Sequence, residues 1–230
     1  MSRSVVVAWL FPLLCIPLTD VFGQRAGTAT RDADAAETQS ARGLSWMGSG
    51  KLLMILREDA KSVAATGLDV TPILSDIEFL RQKWKDARAE HPSTPAQYAE
   101  DLRDDRQALQ EISEHEKPTV ADIELLGAIA DDLHVKASHC RAGASWDELV
   151  TVHVHTKRHG TTVGHKQVMV CRRGWANVPS KWHALRKLSS PAVGELPPGA
   201  YVFRVESQPP MAQRVGGNGH STYDFDLVIP

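Results

Sequence analysis

Apolar residues between about Leu44 and Ala137 recur three or four positions apart, which is the spacing of one face of an α-helix. Four such stripes follow one another, and each predicts an amphipathic helix. The stripes consist of Leu52, Leu53, Leu56 and Val63; of Ile73, Ile77, Leu80 and Trp84; of Tyr98, Leu102, Leu109 and Ile112; and of Val120, Ile123, Leu126, Ile129 and Leu133. Because the linkers between the stripes are short, neighbouring helices are expected to run antiparallel.

Residues that begin and end helices stand at the edges of these stripes. Thr71 and Thr94 each precede a proline, and this order is typical of the first turn of a helix. Thr119 precedes an apolar run and has Asp122 three residues on, which is the spacing of a capping box. Gly67 marks the end of the first helix. The chain from 44 to 137 is therefore predicted to be a four-helix domain.

The period of the apolar pattern changes to two after Cys140, which is typical of half-buried strands. Alternation also returns in "AYVFRVES" and in the terminal "YDFDLVIP". Clusters of glycine and proline separate these runs. The residues predicted to face the core are Val150, Val152, Val154, Val168, Val170, Tyr201, Phe203 and Val205. The predicted fold class is α+β, in which the helical domain precedes a small antiparallel β-sandwich domain at 138–230.

The N-terminus has the order of features found in a secretory signal peptide. Arg3 precedes an apolar run from Val5 to Leu18, and small residues stand before a cleavage point ahead of Gln24. The run is shorter than the roughly 20 residues that span a bilayer. Residues 1–23 are predicted to be a signal peptide, with an uncleaved anchor as the alternative. The protein is then secreted or periplasmic, without a stable membrane span once the signal is cleaved.

Residues 24–43 contain no large apolar side chain and are predicted to be a flexible linker. Removal of the signal peptide leaves two cysteines, Cys140 and Cys171. An even pair in an oxidising compartment favours a disulfide. Closing that loop would contribute about 3 kcal/mol. Two separate thiols are the alternative.

Charge is divided unevenly between the two halves of the chain. From Lys51 to Lys136 there are 18 acidic and 11 basic residues, whereas from Ser138 to Pro230 there are 6 acidic and 11 basic residues. Halves of opposite sign attract each other at short range, and a polyanion would be drawn to the second half. The adjacent acidic pairs at 104–105 and 131–132 are predicted to be solvated.

Two pieces of the second half resemble carboxypeptidase regulatory-like domains, which are small transthyretin-like sandwiches. They are "VTVHVHTKRHGTTVGHKQVMV", in which a glycine turn joins two strands, and "LPPGAYVFRV", in which a proline–glycine turn leads into a strand. The turn before Tyr201 is expected to be exposed. The segment between the two pieces departs from the family pattern. The resemblance implies an accessory or adhesive module without catalytic residues.

The histidines of the first predicted strand are candidate metal ligands. With the valines of this strand inward, His153 and His155 point outward, and His165 lies on the next strand. Two imidazoles on facing strands can bind Zn²⁺ or Cu²⁺. However, a site needs three or four ligands, and the sequence indicates no carboxylate on this face. The favoured interpretation is a polar strand face, without a metal or other cofactor.

The segment "RRGWANVPSKWHALRK" interleaves tryptophans with cations. Exposed Trp175 and Trp182 would stack on sugar rings, while Arg172, Arg173 and Lys181 meet acidic glycans. Burial of both tryptophans under a solvated basic loop is the alternative. Expected partners are a cell-envelope glycan or a protein, and export makes a nucleic acid an unsuitable one.

The chain lacks a Gly-x-Ser-x-Gly elbow, a His-Glu-x-x-His zinc motif and a phosphate-binding loop. The sequence therefore favours an exported, non-catalytic protein that serves binding or cell-envelope architecture. A glycan or anionic-polymer binding module is one alternative, and a periplasmic metal-binding protein is another.

Overall fold

Four helices form the first half of the described chain, as the apolar stripes predict. The structure, a computed structural model, describes residues 46–87, 96–145, 148–164, 166–185, 191–205 and 208–229. The helices are α1 (Trp46–Ala64), α2 (Thr71–Ala87), α3 (Ala96–Glu114) and α4 (Val120–Arg141). Helix α1 packs against α2 and α3, and α2 packs against α4.

Several predictions lie outside the described residues: the signal peptide at 1–23, the linker at 24–43, the start signal at Thr94 and the candidate ligand His165. Within the described ranges, no helix is both long enough and apolar enough to cross a membrane.

The predicted capping box at the start of α4 is confirmed. Thr119 Oγ1 accepts a hydrogen bond from the Asp122 backbone N–H at 3.2 Å, and Asp122 Oδ2 accepts one from the Thr119 backbone N–H at 2.7 Å. Helix α2 begins at Thr71 as predicted, where Asp69 Oδ1 accepts from the Thr71 backbone N–H at 2.9 Å. Two backbone amide groups at the start of α4 and one at the start of α2 thus gain partners within a few residues of sequence.

Most of each apolar stripe is buried in one helical core, but the first turn of α4 is an exception. Val120 is 73% exposed and Ile123 is 53% exposed, whereas Asp122 and Leu126 are buried. Successive residues are about 100° apart around a helix. The buried positions 122, 126, 129 and 133 define one face, and residues 120 and 123 fall away from it.

The strands of the second half form two sheets. They are β1 (Val150–Arg158), β2 (Thr161–Thr162), β3 (Val168–Arg172), β4 (His183–Ala184), β5 (Ala192–Leu196), β6 (Gly199–Val205), β7 (Met211–Val215) and β8 (Thr222–Ile229). One sheet has the order β2-β1-β5, with β8 also paired to β1, and the other has the order β4-β3-β6-β7. Strands β1 and β8 run parallel, and the remaining pairs are antiparallel.

The inner faces of the two sheets share one apolar core, so the predicted α+β class with a small β-sandwich is confirmed. All eight residues predicted to face this core are buried: Val150, Val152, Val154, Val168, Val170, Tyr201, Phe203 and Val205. The Phe203 and Phe225 rings meet edge to face, with centroids 4.8 Å apart. The described helices and strands belong to one compact unit.

The prediction that the proline–glycine turn is exposed is wrong. Pro197, Pro198 and Gly199 are buried. Helix α4 covers the turn. Its residue Asp132 accepts a hydrogen bond at Oδ1 from the backbone N–H of Ala200, the residue after the turn, at 3.0 Å. A Cβ atom at Gly199 would collide with the Asp132 carboxylate. The turn therefore belongs to the junction between helices and sandwich.

The inward direction of β1 can be tested by placing a charge on it. Val154→Asp puts a carboxylate into a site that is 0% exposed, so we expect it to lower the free energy of unfolding by roughly 3 kcal/mol or more. Urea unfolding followed by circular dichroism measures the change. The matched control is Val228→Asp, because Val228 is 62% exposed on the neighbouring strand. Equal loss in both variants would contradict the register.

Candidate functional site

The side chain of Arg172, at the end of β3, enters the space between α3 and α4. Its Nη2 atom donates to Asp105 Oδ1 at 2.6 Å and to Asp132 Oδ2 at 2.7 Å. Its Nη1 atom donates to the backbone carbonyl of Asp101 at 3.0 Å. Arg172 is only 8% exposed, so these contacts are shielded from water. One cation of the sandwich thus binds carboxylates of two helices.

Lys136 of α4 supplies a second buried cation. Its Nζ atom contacts the Asp132 carboxylate and lies 3.3 Å from Asp101 Oδ2. The same atom lies 5.8 Å from the centre of the Tyr98 ring. Lys136 is 0% exposed, so its ammonium group depends on these partners for the interactions that water would otherwise provide.

Helical spacing brings these groups together. Asp101 and Asp105 lie four residues apart on α3, and Asp132 and Lys136 lie four residues apart on α4, so each pair shares one helix face. The cluster of Asp101, Asp105, Asp132, Lys136 and Arg172 is called here the junction cluster. The prediction that residues 104–105 and 131–132 are solvated is therefore wrong for the second member of each pair.

Burial and neighbouring charges act in opposite directions on the junction cluster. Burial raises the pKa of Asp105 to about 7, although Arg172 opposes the shift. Burial also opposes ionisation of Asp132, but Arg172 and Lys136 outweigh it and lower the pKa of that carboxyl. Burial disfavours the charged form of Arg172, whereas the surrounding aspartates outweigh it and raise its pKa. The result is an ionised Asp132–Arg172 pair beside the Asp105 carboxyl, which retains its proton more readily than an exposed aspartate does.

Further ion pairs between the two halves surround the junction cluster. Lys181 Nζ lies 2.7 Å and 2.8 Å from the two oxygens of Asp104. Asp131 accepts from Arg173 at 3.4 Å and lies 2.5 Å from Arg214 Nη2. The expected attraction between the acidic and basic halves thus takes the form of specific pairs. The exposed pairs each contribute little, about 0–1 kcal/mol.

A cleft with a volume of about 110 Å³ opens beside the junction cluster. Three of the five predicted ligand-binding residues line it, together with three carboxylates, a thiol and a phenol from both halves of the chain. These lining residues include Arg172, Trp175, Lys181, Glu100, Asp101, Asp104, Cys171 and Tyr201. The cleft therefore combines aromatic surface with groups that the junction cluster holds in place.

The two tryptophans occupy different positions. Trp175 is half-buried, lines the cleft and has the Arg172 guanidinium 4.3 Å from its ring centre. Trp182 is also half-buried but contacts Arg204, at 4.0 Å, and donates from Nε1 to the Ala176 carbonyl at 2.9 Å. Trp182 is not part of the cleft lining. Arg173 lines a separate groove beside Asp131. The five residues predicted to bind a ligand therefore do not form one site.

The predicted disulfide does not form in the structure, where Cys140 and Cys171 are both buried thiols. Cys140 belongs to the helical core and lies eight residues beyond Asp132, which is roughly 12 Å further along α4. Cys171 instead adjoins Arg172, the residue that contacts Asp132. A disulfide requires Cα atoms within about 7 Å. Burial raises the pKa of the Cys171 thiol to about 11.

The outer face of β1 carries the two described histidines of the candidate metal set. His153 Nδ1 lies 2.9 Å from Asp224 Oδ1, and His155 Nε2 lies 3.8 Å from the same oxygen. The expectation that this face lacks a carboxylate is wrong, because β8 pairs with β1 in parallel and places Asp224 there. Among the residues that the structure describes, no group of three or more His, Cys, Asp or Glu is arranged to hold a metal ion.

Comparison with family models, curated proteins and solved structures finds no match to this chain. The chemistry of the cleft is therefore inferred from its own groups. Its thiol is held in the protonated form, and its guanidinium already binds aspartates. A protonated thiol is a poor nucleophile.

Removing the cation of the junction cluster should destabilise the whole described unit. Arg172→Met keeps the length of the side chain but leaves Asp105 and Asp132 buried without their partner. We expect the free energy of unfolding to fall by about 3–5 kcal/mol in urea unfolding. Arg173→Met is the control, because Arg173 is 55% exposed and should change it by no more than about 0.5 kcal/mol. A stable Arg172→Met protein would show that the cluster is not needed.

Proposed function

We propose that the protein is an exported, non-catalytic binding protein of the cell envelope and that the cleft beside Arg172 is its ligand site. The observation that carries the proposal is the convergence of Arg172, Trp175 and Lys181 on one cleft. The features of a signal peptide in residues 1–23 support export.

An uncharged region of a glycan is the ligand that the cleft favours. The basic side chains of the segment are already paired, since Lys181 binds Asp104 and Arg172 binds Asp105 and Asp132. A polyanion would have to displace those carboxylates. Trp175 packs against the helical core and the Arg172 guanidinium, and the part of its ring that lines the cleft is the surface that a sugar ring would contact. The nearby polar groups can bind hydroxyl groups. A neutral sugar keeps the existing ion pairs intact.

The state of the reactive groups supports a role without catalysis. The raised pKa of Cys171, about 11, keeps the thiol protonated near neutral pH, so it is a poor nucleophile. Asp105 has a pKa suited to proton transfer, about 7, but it is 0% exposed and does not line the cleft. A general acid or base must come within hydrogen-bond reach of its substrate. Asp101 does line the cleft, and burial raises its pKa although Arg172 opposes the shift, so the proposal of a non-catalytic role rests on the protonated thiol of Cys171.

For the second half of the chain, we propose an accessory module of the carboxypeptidase regulatory-like type. Support comes from the two strands that begin and end "VTVHVHTKRHGTTVGHKQVMV" and from the turn of "LPPGAYVFRV", which leads into β6. The burial of that turn against α4 means that one end of the sandwich serves to attach the helices. A ligand therefore meets the sandwich at the cleft, where helix and strand residues both contribute.

The tryptophans provide a matched test of the ligand site. Soluble oligomers of neutral N-acetylated amino sugars are titrated into the full chain, and binding is followed by tryptophan fluorescence and calorimetry. Trp175→Ala should weaken binding about tenfold, or roughly 1.4 kcal/mol, because it removes the stacking surface. Trp182→Ala should bind as the wild type does, because Trp182 lies outside the cleft.

An acidic polysaccharide serves as the second probe in this test. We expect it to bind more weakly than the neutral oligomer at physiological salt, because the cations of the cleft are paired. Tighter binding of the acidic probe that weakens steeply with salt would favour the anionic-polymer alternative. Equal loss in both tryptophan variants, or no binding of either probe, would contradict the proposed site.

A further inference from the structure

The junction cluster contains more carboxylates than cations. Asp101, Asp105 and Asp132 face Lys136 and Arg172, so full ionisation leaves one negative charge in excess. None of these five residues is more than 9% exposed. An uncompensated charge in such a site is costly, because water cannot solvate it. A single bound proton would make the cluster neutral.

Burial raises the pKa of both Asp101 and Asp105, although Arg172 opposes each shift. The hydrogen bonds indicate which of the two takes that proton. Asp132 uses both oxygens: Oδ1 accepts from the Ala200 backbone N–H, and Oδ2 contacts Arg172 and Lys136. Asp105 Oδ1 accepts from Arg172 at 2.6 Å, but its buried Oδ2 has no hydrogen-bond partner among the described residues. Asp101 Oδ2 lacks a hydrogen bond too, although Lys136 Nζ lies 3.3 Å from it. A proton on Asp105 Oδ2 thus removes the excess charge at the oxygen without a nearby cation.

We infer that the junction between the helices and the sandwich is a proton-operated clamp, in which one proton on Asp105 stabilises the contact of α3 with the Arg172 side chain of β3 and its loss weakens that contact. The charged groups that face Asp105 are Asp101 on its own helix, Asp132 and Lys136 on α4, and Arg172 on β3. Two of these, Asp101 and Arg172, also line the cleft. The clamp does not depend on the proposed glycan binding.

The direction of the pH effect follows from the proton count. Asp105 has a folded pKa of about 7, above the ordinary value of 3.8, so the folded protein holds one proton more than the unfolded chain between these values. Its contribution to stability is complete below pH 3.8, falls as pH rises towards 7 and is absent above that. Near neutral pH, small changes in pH therefore alter the net charge of the junction cluster.

Another buried group acts in the opposite direction over part of this range. Burial lowers the pKa of His139 below its ordinary value of 6.5, so His139 favours the folded state as pH rises towards 6.5. The wild-type profile combines these two effects with that of Asp101, whose pKa burial also raises although Arg172 opposes the shift. A comparison with a variant that changes only Asp105 separates them.

The test compares urea unfolding of the full chain and of Asp105→Asn between pH 5 and 8. The amide has nearly the same shape as the protonated carboxyl but does not titrate. The unfolding equilibrium constant of the wild type, divided by that of the variant, should rise about tenfold per pH unit from pH 5 to 6.5 and level off above pH 7.5. Asp104→Asn is the control, because that carboxylate pairs with Lys181 and lies outside the junction cluster, so its ratio should not show the rise expected for Asp105→Asn.

A ratio that does not change with pH for Asp105→Asn would overturn the inference, and so would an equal slope for Asp104→Asn. If Asp105→Asn does not fold, the carboxyl carbon of Asp105 is followed by NMR in the wild type. A titration midpoint near pH 7 supports the clamp, and a midpoint below pH 5 overturns it. Neither readout involves a ligand, so failure of glycan binding leaves this test unaffected.

Discussion

The guanidinium of Arg172 is the contact on which the arrangement of the described structure depends. It extends from the last residue of β3 and binds Asp105 on α3 and Asp132 on α4. The helices and the sandwich each have an apolar core of their own, and the junction cluster lies where the two meet. Because ions in such a site require all of their partners, the cluster permits one placement of the sandwich on the helices. The acidic helices and the basic sandwich thus supply the opposite charges that fix how the sandwich lies on the helices.

The same constraint shapes the candidate ligand site. Asp101 and Arg172 belong to both the junction cluster and the cleft, and Trp175 rests against the Arg172 guanidinium. Buried ion pairs are weak evidence for net stability, since removing the ions from water costs as much as their attraction returns. Their contribution here is positional, because they hold the surface of the cleft in a defined shape. A preformed site of this kind loses less entropy when a ligand binds.

The sequence predicted the elements well because the burial of one face leaves a periodic pattern. The eight inward residues of the sandwich and the capping box of Thr119 are examples. The junction cluster was missed, although Asp105 lies on a buried stripe, three residues after Leu102 and four before Leu109. A polar residue on such a stripe indicates a buried partner, but no spacing identifies Arg172 as that partner. The burial of the turn at Gly199 and the parallel pairing of β8 are likewise tertiary contacts, and no local pattern encodes them.

Native-state hydrogen exchange tests most directly whether Arg172 joins the two halves into one unit. Amides near Leu133 in α4 and near Val152 in β1 lie in separate cores. If Arg172 joins the two halves, the slowest amides of both regions exchange through the same opening, with equal free energy and equal dependence on denaturant. The contrary result is that amides of α3 and α4 exchange through a separate opening of lower free energy while the sandwich amides stay protected. That result would show that the two halves unfold independently and that Arg172 does not join them.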